Sequence, residues 1–373
     1  MDIAVLAGGR SPEHEVSLAS AAQVLLHLDR QRWRVWPVYL DRDGGWWPRR
    51  WPLSHGVAWL PRDTAESHGP LRPGTALDWL LDAAHIEAVL PVLHGPFGED
   101  GTVQGMLELN DLPCVGSGCA ASAVAMDKLR TRQVLQAIGV PQAKAYEPRL
   151  PLVQAEAGFE WAQLEAAVGT PAFVKVDASG STVGVARVTK VEELAAFFAE
   201  FRGRFRRWFA EQQLVGEEIT VAVLGNTGDR LQALPPVGIY PRCDSWFTHE
   251  AKYRPGASEE VVPPRGWSKA RIDEVAALAI RCHEALVCDG MSRTDMIVTS
   301  AGPFVLETNT IPGLTKTSLL PQAAAAVGMS FTALLDRLLE LALARRVVPA
   351  SERLVDADAR AADPVPGGAS ASA

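Results

Sequence analysis

A surplus of positive charge, paired cysteines, long apolar runs and the G-x-x-x-x-G-K-[ST] phosphate loop are all missing from this chain, and each absence removes a class of function. Lys and Arg number 36 against 44 Asp and Glu, a formal net charge of −8. Nucleic-acid binding needs a concentrated basic footprint and is therefore not expected. The one basic run, Arg202-Gly-Arg-Phe-Arg-Arg207, reads as the solvated end of a helix-like stretch from Val191 to Ala210. No apolar run reaches eighteen residues, and Ile3-Ala-Val-Leu6 is strand-like rather than a basic region with a signal core, so a membrane role is not expected and a cytoplasmic location is. The five cysteines are odd in number and form no C-x-x-C pair, which argues against a disulfide framework and a structural zinc site. Reduced, structural thiols are expected.

What remains is the composition of a soluble enzyme of two or three domains: 373 residues, 47% apolar and 21% charged. Ile3-Ala-Val-Leu6, the turn Ala7-Gly8-Gly9-Arg10-Ser11 and an Ala/Leu-rich helix from Val16 to Leu28 predict a strand, a glycine turn and a helix. Trp33 to Tyr39 predicts a second strand, and Asp41 to Pro73 an irregular insertion. Glu87 to Leu93 predicts a buried strand that runs into the glycine-dense His94-Gly95-Pro-Phe-Gly98-Glu99-Asp100-Gly101. Loops of that kind gather ligands outside the carboxyl ends of α/β strands, which makes His94 and Glu99 pocket candidates. Ala120 to Ile138 predicts one helix, closed by Gly139-Val-Pro141.

Three further stretches carry chemistry. Ala172-Phe-Val-Lys175-Val and the run to Val188 predict two strands around Gly180-Ser181-Thr182-Val-Gly184, where glycines let backbone approach phosphate, hydroxyls donate and Lys175 adds a point charge. Glu218, at the entry to the strand ending at Leu224, is placed to reach a ribose hydroxyl, and the loop from Pro241 to Pro264 has the polar, glycine-bearing make-up of a lid. Met296-Ile-Val298 and Phe304-Val-Leu306, joined by Thr299-Ser-Ala-Gly-Pro303, predict a β-hairpin with Asp295, Glu307 and Asn309 at its open end. Alternation sets Glu307 and Asn309 on one face, and oxygen ligands of this kind suit magnesium with substrate phosphates completing its shell.

The motifs Gly8-Gly9, Ser11-Pro-Glu13-His-Glu15-Val-Ser17, His94-Gly-x-x-Gly-Glu99-Asp-Gly101, Met126-Asp-Lys128, Gly180-Ser181-x-x-Gly184, Glu250-Ala-Lys252-Tyr253, Arg293-x-Asp295, Glu307-x-Asn309-Thr-x-Pro-Gly313-x-Thr315 and Ser318-Leu319 together resemble the D-alanine:D-alanine ligases of the ATP-grasp superfamily. The resemblance runs from about Asp2 to Leu343. It implies an α/β N-terminal domain with a parallel sheet (1–120), two ATP-grasp subdomains (121–214 and 215–347) clasping ATP, and a disordered tail (348–373).

It also implies roles. Lys128, Lys175, Ser181 and Lys252 would meet the ATP phosphates, Gln212 and Leu214 the adenine through their backbone, and Glu218 the ribose. Asp295, Glu307 and Asn309 would hold two magnesium ions, for which manganese can substitute. Glu13, linked through Ser181 to Tyr253, would take the ammonium of the first D-alanine; Arg293 and the N–H of Gly313 would stabilise the oxyanion; Ser318 and the N–H of Leu319 would hold the second carboxylate, with His94 supporting the pocket. Tyr253 accompanies dipeptide rather than D-lactate ester formation in that family, while His249 departs from its usual aromatic. D-Alanyl-D-alanine synthesis through a D-alanyl phosphate, for peptidoglycan precursors and by a homodimer, is the activity implied; an ATP-grasp ligase joining another amino or hydroxy acid pair is the alternative.

Overall fold

The computed structural model describes residues 1–54, 65–177, 184–242 and 258–345. Ser181, His249, Lys252, Tyr253, most of the expected lid and the tail from 348 lie outside the described residues.

The described chain builds three sheets. In the first, β1 (Asp2–Gly8) leads through helix α1 (His14–His27) to β2 (Arg34–Leu40), and β3 (Trp46–Pro48) turns back on it. Helix α2 (Pro73–Asp82) then precedes β4 (Ala88–Val92), and the order is β3-β2-β1-β4 with β1 parallel to both neighbours. Every residue of β1 and of β4 is buried, as expected of parallel strands covered on both faces. Helix α3 (Thr102–Glu108) follows the His94 loop.

The helix expected over Ala120 to Ile138 is two helices, α4 (Cys119–Met126) and α5 (Lys128–Ala137). Asp127 leaves the helical region (φ −82, ψ 95), and its carboxylate accepts the Arg130 N–H at 2.9 Å. An acidic N-cap of this kind restarts a helix, and apolar periodicity alone does not reveal it. The break sets Lys128 on the first turn of α5.

The second sheet has the order β5-β8-β6-β7, antiparallel throughout: β5 (Ala145–Tyr146), β6 (Ala172–Val176), β7 (Val185–Val188) and β8 (Trp208–Gln212), covered by α6 (Ala157–Val168) and α7 (Val191–Phe201). The helix expected to Ala210 therefore stops at Phe201, and Trp208 to Gln212 is a strand. Phe197, Phe198 and Phe201 complete the apolar stripe of α7, whereas Trp208 and Ala210 enter the same core from the sheet. The basic run is thus a loop between helix and strand. Ala172, Val174 and Val176 of β6 point into that core, which turns Lys175 to the other face.

The third sheet runs β12-β11-β9-β13-β14, with β10 also on β9: β9 (Glu217–Leu224), β10 (Gln232–Ala233), β11 (Val237–Pro241), β12 (Ser258–Val261), β13 (Met291–Thr299) and β14 (Gly302–Asn309). Helix α8 (Lys269–Ala285) packs Val275, Leu278 and Cys282 against Ile219, Val221 and Val223 of β9. Leu135 of α5 joins this core. After β14 come α9 (Leu319–Ala326) and α10 (Phe331–Ala344), and the latter buries Leu334, Leu335, Leu338 and Leu339 against Ile3, Val5 and Leu18. One apolar core therefore joins the last described helix to the first sheet. Cys114, Cys119, Cys282 and Cys288 are free thiols, and burial pushes Cys114, Cys282 and Cys288 up to about 12. These three buried thiols are inert, as structural thiols should be.

Candidate functional site

A cavity of about 660 Å³ opens where the first sheet, the start of α5 and the β13–β14 hairpin meet. Glu13, Ser20, His94 and Glu99 line it from the first unit, and Met126 and Lys128 from α4 and α5. Glu218, Arg293, Asp295, Glu307 and Asn309 line it from the third sheet, and Gly313, Thr315, Ser318 and Leu319 from the chain that follows. Twelve of the residues singled out in the sequence for binding or chemistry thus converge on one space: Glu13, His94, Glu99, Lys128, Glu218 and Arg293, the triad Asp295, Glu307 and Asn309, and Gly313, Ser318 and Leu319.

The hairpin sets the acidic wall. Its turn is Ser300-Ala301, tighter than expected, with Pro303 inside the edge strand β14. Asp295 pairs with Glu307 and Arg293 with Asn309, and a register shift after Asp295 leaves Leu306 as the extra residue. Arg293 grips Asp295 through Nε to Oδ1 and Nη2 to Oδ2, both at 2.8 Å. Among the described residues its Nη1 makes no hydrogen bond, which leaves one edge of the guanidinium to face a ligand. Burial works against the Arg293 charge, but Asp295 outweighs it and raises the pKa. Lys128 Nζ lies 2.7 Å from Glu307 Oε2, and this carboxylate likewise overcomes the burial that would discharge the lysine.

The donor set fits a hard cation. Asp295, Glu307 and Asn309 offer oxygens only, and among the described residues no three His, Cys, Asp or Glu form a ready-made cage. Two carboxylates that need further oxygens from a phosphate-bearing substrate match magnesium better than a soft metal.

On the opposite wall a glycine brings the loop close. Gly95 (φ +68) would place a Cβ 2.5 Å from Ser11 Oγ and 2.7 Å from Glu13 Oε2, so only glycine lets this backbone pass the Glu13 carboxylate. The Gly95 N–H donates to Glu99 Oε1 at 2.8 Å. Burial, aided by the Glu13 charge, pushes Glu99 up to about 8, and burial with the Arg293 charge lowers His94, whose Nε2 is 3.4 Å from Ser20 Oγ. Both are neutral near pH 7, consistent with supporting rather than reacting groups.

A stability prediction follows. Below about 4.5 both folded and unfolded chains hold the Glu99 proton, but between there and about 8 only the folded chain does. The unfolded state then binds fewer protons, so this contribution is complete at low pH and is lost as pH rises through about 8. Glu99→Gln keeps the acceptor for Gly95 and should flatten that part of the profile. Melting temperatures of both proteins from pH 5 to 9 measure this, and parallel curves would remove Glu99 as the cause.

Ser318 occupies the N-cap position of α9 without a side-chain bond to the helix; its Oγ lies 2.7 Å from Thr315 Oγ1 and accepts the Thr315 N–H at 3.1 Å. The first N–H groups of a helix have no partner within it, and Leu319 supplies one here. A Cβ on Gly313 would lie 2.9 Å from Ser318 Oγ, so the backbone expected to face the oxyanion adjoins the side chain expected to face the second carboxylate.

Lys175, Gln212 and Leu214 do not line this cavity. Lys175 is tied to Glu211 on the second sheet, and Arg132 binds the other oxygen of the same carboxylate. The Gln212 N–H donates to Lys144 O at 2.9 Å, so a ligand can meet only its carbonyl. Three members of the constellation escaped the sequence reading: Glu211, Arg132 and Thr220, whose hydroxyl donates to Asp295 Oδ1 at 2.6 Å. The acid inside Phe209-Ala210-Glu211 was the one available signal, since a buried charge demands a partner.

Comparison with known proteins agrees with this geometry. The family description "D-ala D-ala ligase N-terminus" matches residues 2–117, and "D-ala D-ala ligase C-terminus" matches residues 134–340. A D-alanine–D-alanine ligase of Syntrophobacter fumaroxidans is 41% identical over 92% of this chain and 98% of its own length. One of Deinococcus radiodurans is 38% identical over 92% of this chain and 99% of its own. Among solved structures, the D-alanine-D-alanine ligase of Coxiella burnetii is similar with a TM-score of 0.74 at 28% identity, covering 96% of this chain and 99% of that one. The VanG D-Ala:D-Ser ligase of Enterococcus faecalis reaches 0.75 at 28% identity over 91% and 99%. The fold is that of the ATP-grasp enzymes, and the chain belongs to the D-alanine–D-alanine ligase family.

Proposed function

We propose that this protein joins two molecules of D-alanine into D-alanyl-D-alanine, consuming ATP and releasing ADP and phosphate, as a step in making peptidoglycan precursors. The observation that carries the reading is the single cavity in which Glu13, Arg293, the acidic wall of the hairpin and the Ser318 cap face one another.

Each group has one task. Glu13 accepts the ammonium of the first D-alanine and turns its carboxylate toward the phosphates. A carboxylate oxygen attacks the γ-phosphorus, the bond to the β-phosphate oxygen breaks with its electron pair, and ADP leaves a D-alanyl phosphate. Bound magnesium, held by Asp295, Glu307 and Asn309, would neutralise charge on the transferring phosphoryl group. Lys128 and Lys175 add cationic charge on the phosphates, while the Gln212 carbonyl, Leu214 and Glu218 hold the nucleoside. The unprotonated amine of the second D-alanine, its carboxylate held by Ser318 and the Leu319 N–H, attacks the acyl carbon. Arg293 Nη1 and the Gly313 N–H take the oxyanion while the attacking nitrogen gives up one proton to a phosphate oxygen, and hydrogen phosphate departs with the C–O electron pair.

Ser181, Lys252 and Tyr253 complete this reading: Ser181 and Tyr253 orient Glu13, and Lys252 meets the γ-phosphate as the lid excludes water. The tyrosine at 253 supports D-alanine over D-lactate as acceptor. A cytoplasmic location and a homodimer belong to the same proposal; among the described residues no helix is long and apolar enough to cross a membrane. Phosphate release from ATP and magnesium, with D-alanine, D-serine and D-lactate alone and in pairs and products weighed by mass spectrometry, tests it. Release that needs D-alanine and yields the dipeptide is expected; ATP turnover indifferent to D-alanine would overturn the proposal.

A further inference from the structure

The Asp295 carboxylate has more partners than metal ligation requires. Thr220 stands directly opposite it in the β9–β13 register, is 1% exposed, and places Oγ1 2.6 Å from Oδ1. The other acceptor in reach, the Thr294 carbonyl, is 3.3 Å away, so the single hydroxyl proton serves the carboxylate. Oδ1 also accepts Arg293 Nε, and Oδ2 accepts Arg293 Nη2.

Counting lone pairs decides what is left. An ionised carboxylate has roughly four acceptor sites, two on each oxygen. Thr220 and Arg293 fill both on Oδ1, and Arg293 fills one on Oδ2, which among the described residues leaves a single site on Oδ2 for a cation. Arg293 alone would hold the plane of the group but leave both oxygens equivalent. Thr220 removes that equivalence, and it does so from a rigid place: it is β-branched and lies between Ile219 and Val221, both 0% exposed.

We infer that Thr220 is a positioning residue for the metal site, fixing which oxygen of Asp295 the cation meets. The inference rests on the metal-site reading above. Partners of this kind typically change metal affinity by about 10–100-fold when lost.

The test is Mn2+ binding in the presence of a non-hydrolysable ATP analogue, followed by electron paramagnetic resonance, for wild type, Thr220→Val, Thr220→Ser and Asp295→Asn. Thr220→Val should weaken Mn2+ roughly tenfold or more and raise by a similar factor the Mg2+ concentration that half-saturates turnover. Thr220→Ser should restore both, and the D-alanine KM at saturating metal should stay within about twofold of wild type, which a general loss of structure would not allow. If Asp295→Asn loses Mn2+ while Thr220→Val binds it as tightly as wild type, the positioning role is overturned and the metal site stands. If Asp295→Asn also binds as wild type, Asp295 is not a ligand and both readings fall. Should the valine variant fail to fold, Thr220→Ala is read by the same criteria.

Discussion

Glu307→Gln is expected to lower kcat by about a thousandfold, equivalent to about 4 kcal/mol of transition-state stabilisation, with the fold intact. Two consequences of the lost charge add in the same direction. The cation bridging the phosphates loses an anionic ligand, and a bound metal contributes several kcal/mol to the charge that develops there. Lys128, whose Nζ lies 2.7 Å from Glu307 Oε2, also loses the ion pair that holds it at the cavity wall. Stability should barely move. The Glu307 side chain is 32% exposed, and although Lys128 is only 14% exposed the substituted glutamine keeps an oxygen to accept from it, so the lysine is not left without a partner. A melting point within roughly 4 °C of wild type is expected. Single-turnover phosphate formation separates the chemical step from product release, and near-normal turnover in a folded Glu307→Gln protein would end the assignment of Glu307 to the metal.

The carboxylates of this site were legible because their logic is local. Glu307 and Asn309 alternate on one strand, the apolar runs on either side mark a hairpin, and a hairpin must bring Asp295 beside Glu307. Strands β1 and β4 were legible for a similar reason, as apolar runs followed by glycine turns, while their parallel pairing was implied by the family resemblance. Thr220 and Glu211 were not, because each acquires its meaning from a partner on another strand, 75 residues away for Thr220 and Asp295. Apolar spacing also misplaced Trp208 and Ala210, which enter the same core as the phenylalanines of α7 but from the sheet. Periodicity reports that a side chain is buried and says less about which element carries it there. The same limit applies to α10: Leu334, Leu335, Leu338 and Leu339 mark an amphipathic helix by their spacing, but nothing local says that it closes the core of a sheet some three hundred residues earlier.

Arg293→Lys, which preserves charge, should nonetheless reduce kcat by about 10²–10³-fold, the scale of losing one oxyanion donor. The guanidinium divides its edges between two tasks. Nε and Nη2 both bond Asp295, and among the described residues Nη1 makes no hydrogen bond, on a side chain that lines the cavity. An ammonium is a compact point charge that cannot satisfy two carboxylate oxygens and a third acceptor from one fixed position. Lysine must therefore either stay with Asp295 and abandon the oxyanion or reach the oxyanion and strand a buried carboxylate. The first choice appears as lost turnover; the second costs about 2 kcal/mol, the scale of a lost hydrogen bond to a charged group, and disturbs the metal as well. The two are told apart by measuring thermal stability and Mn2+ affinity alongside kcat. Loss of turnover with metal affinity retained places Arg293 on the oxyanion, whereas loss of both makes it chiefly a partner of Asp295. An Arg293→Lys enzyme that kept wild-type kcat would show that charge alone suffices, and the forked geometry would then have no part in the reaction.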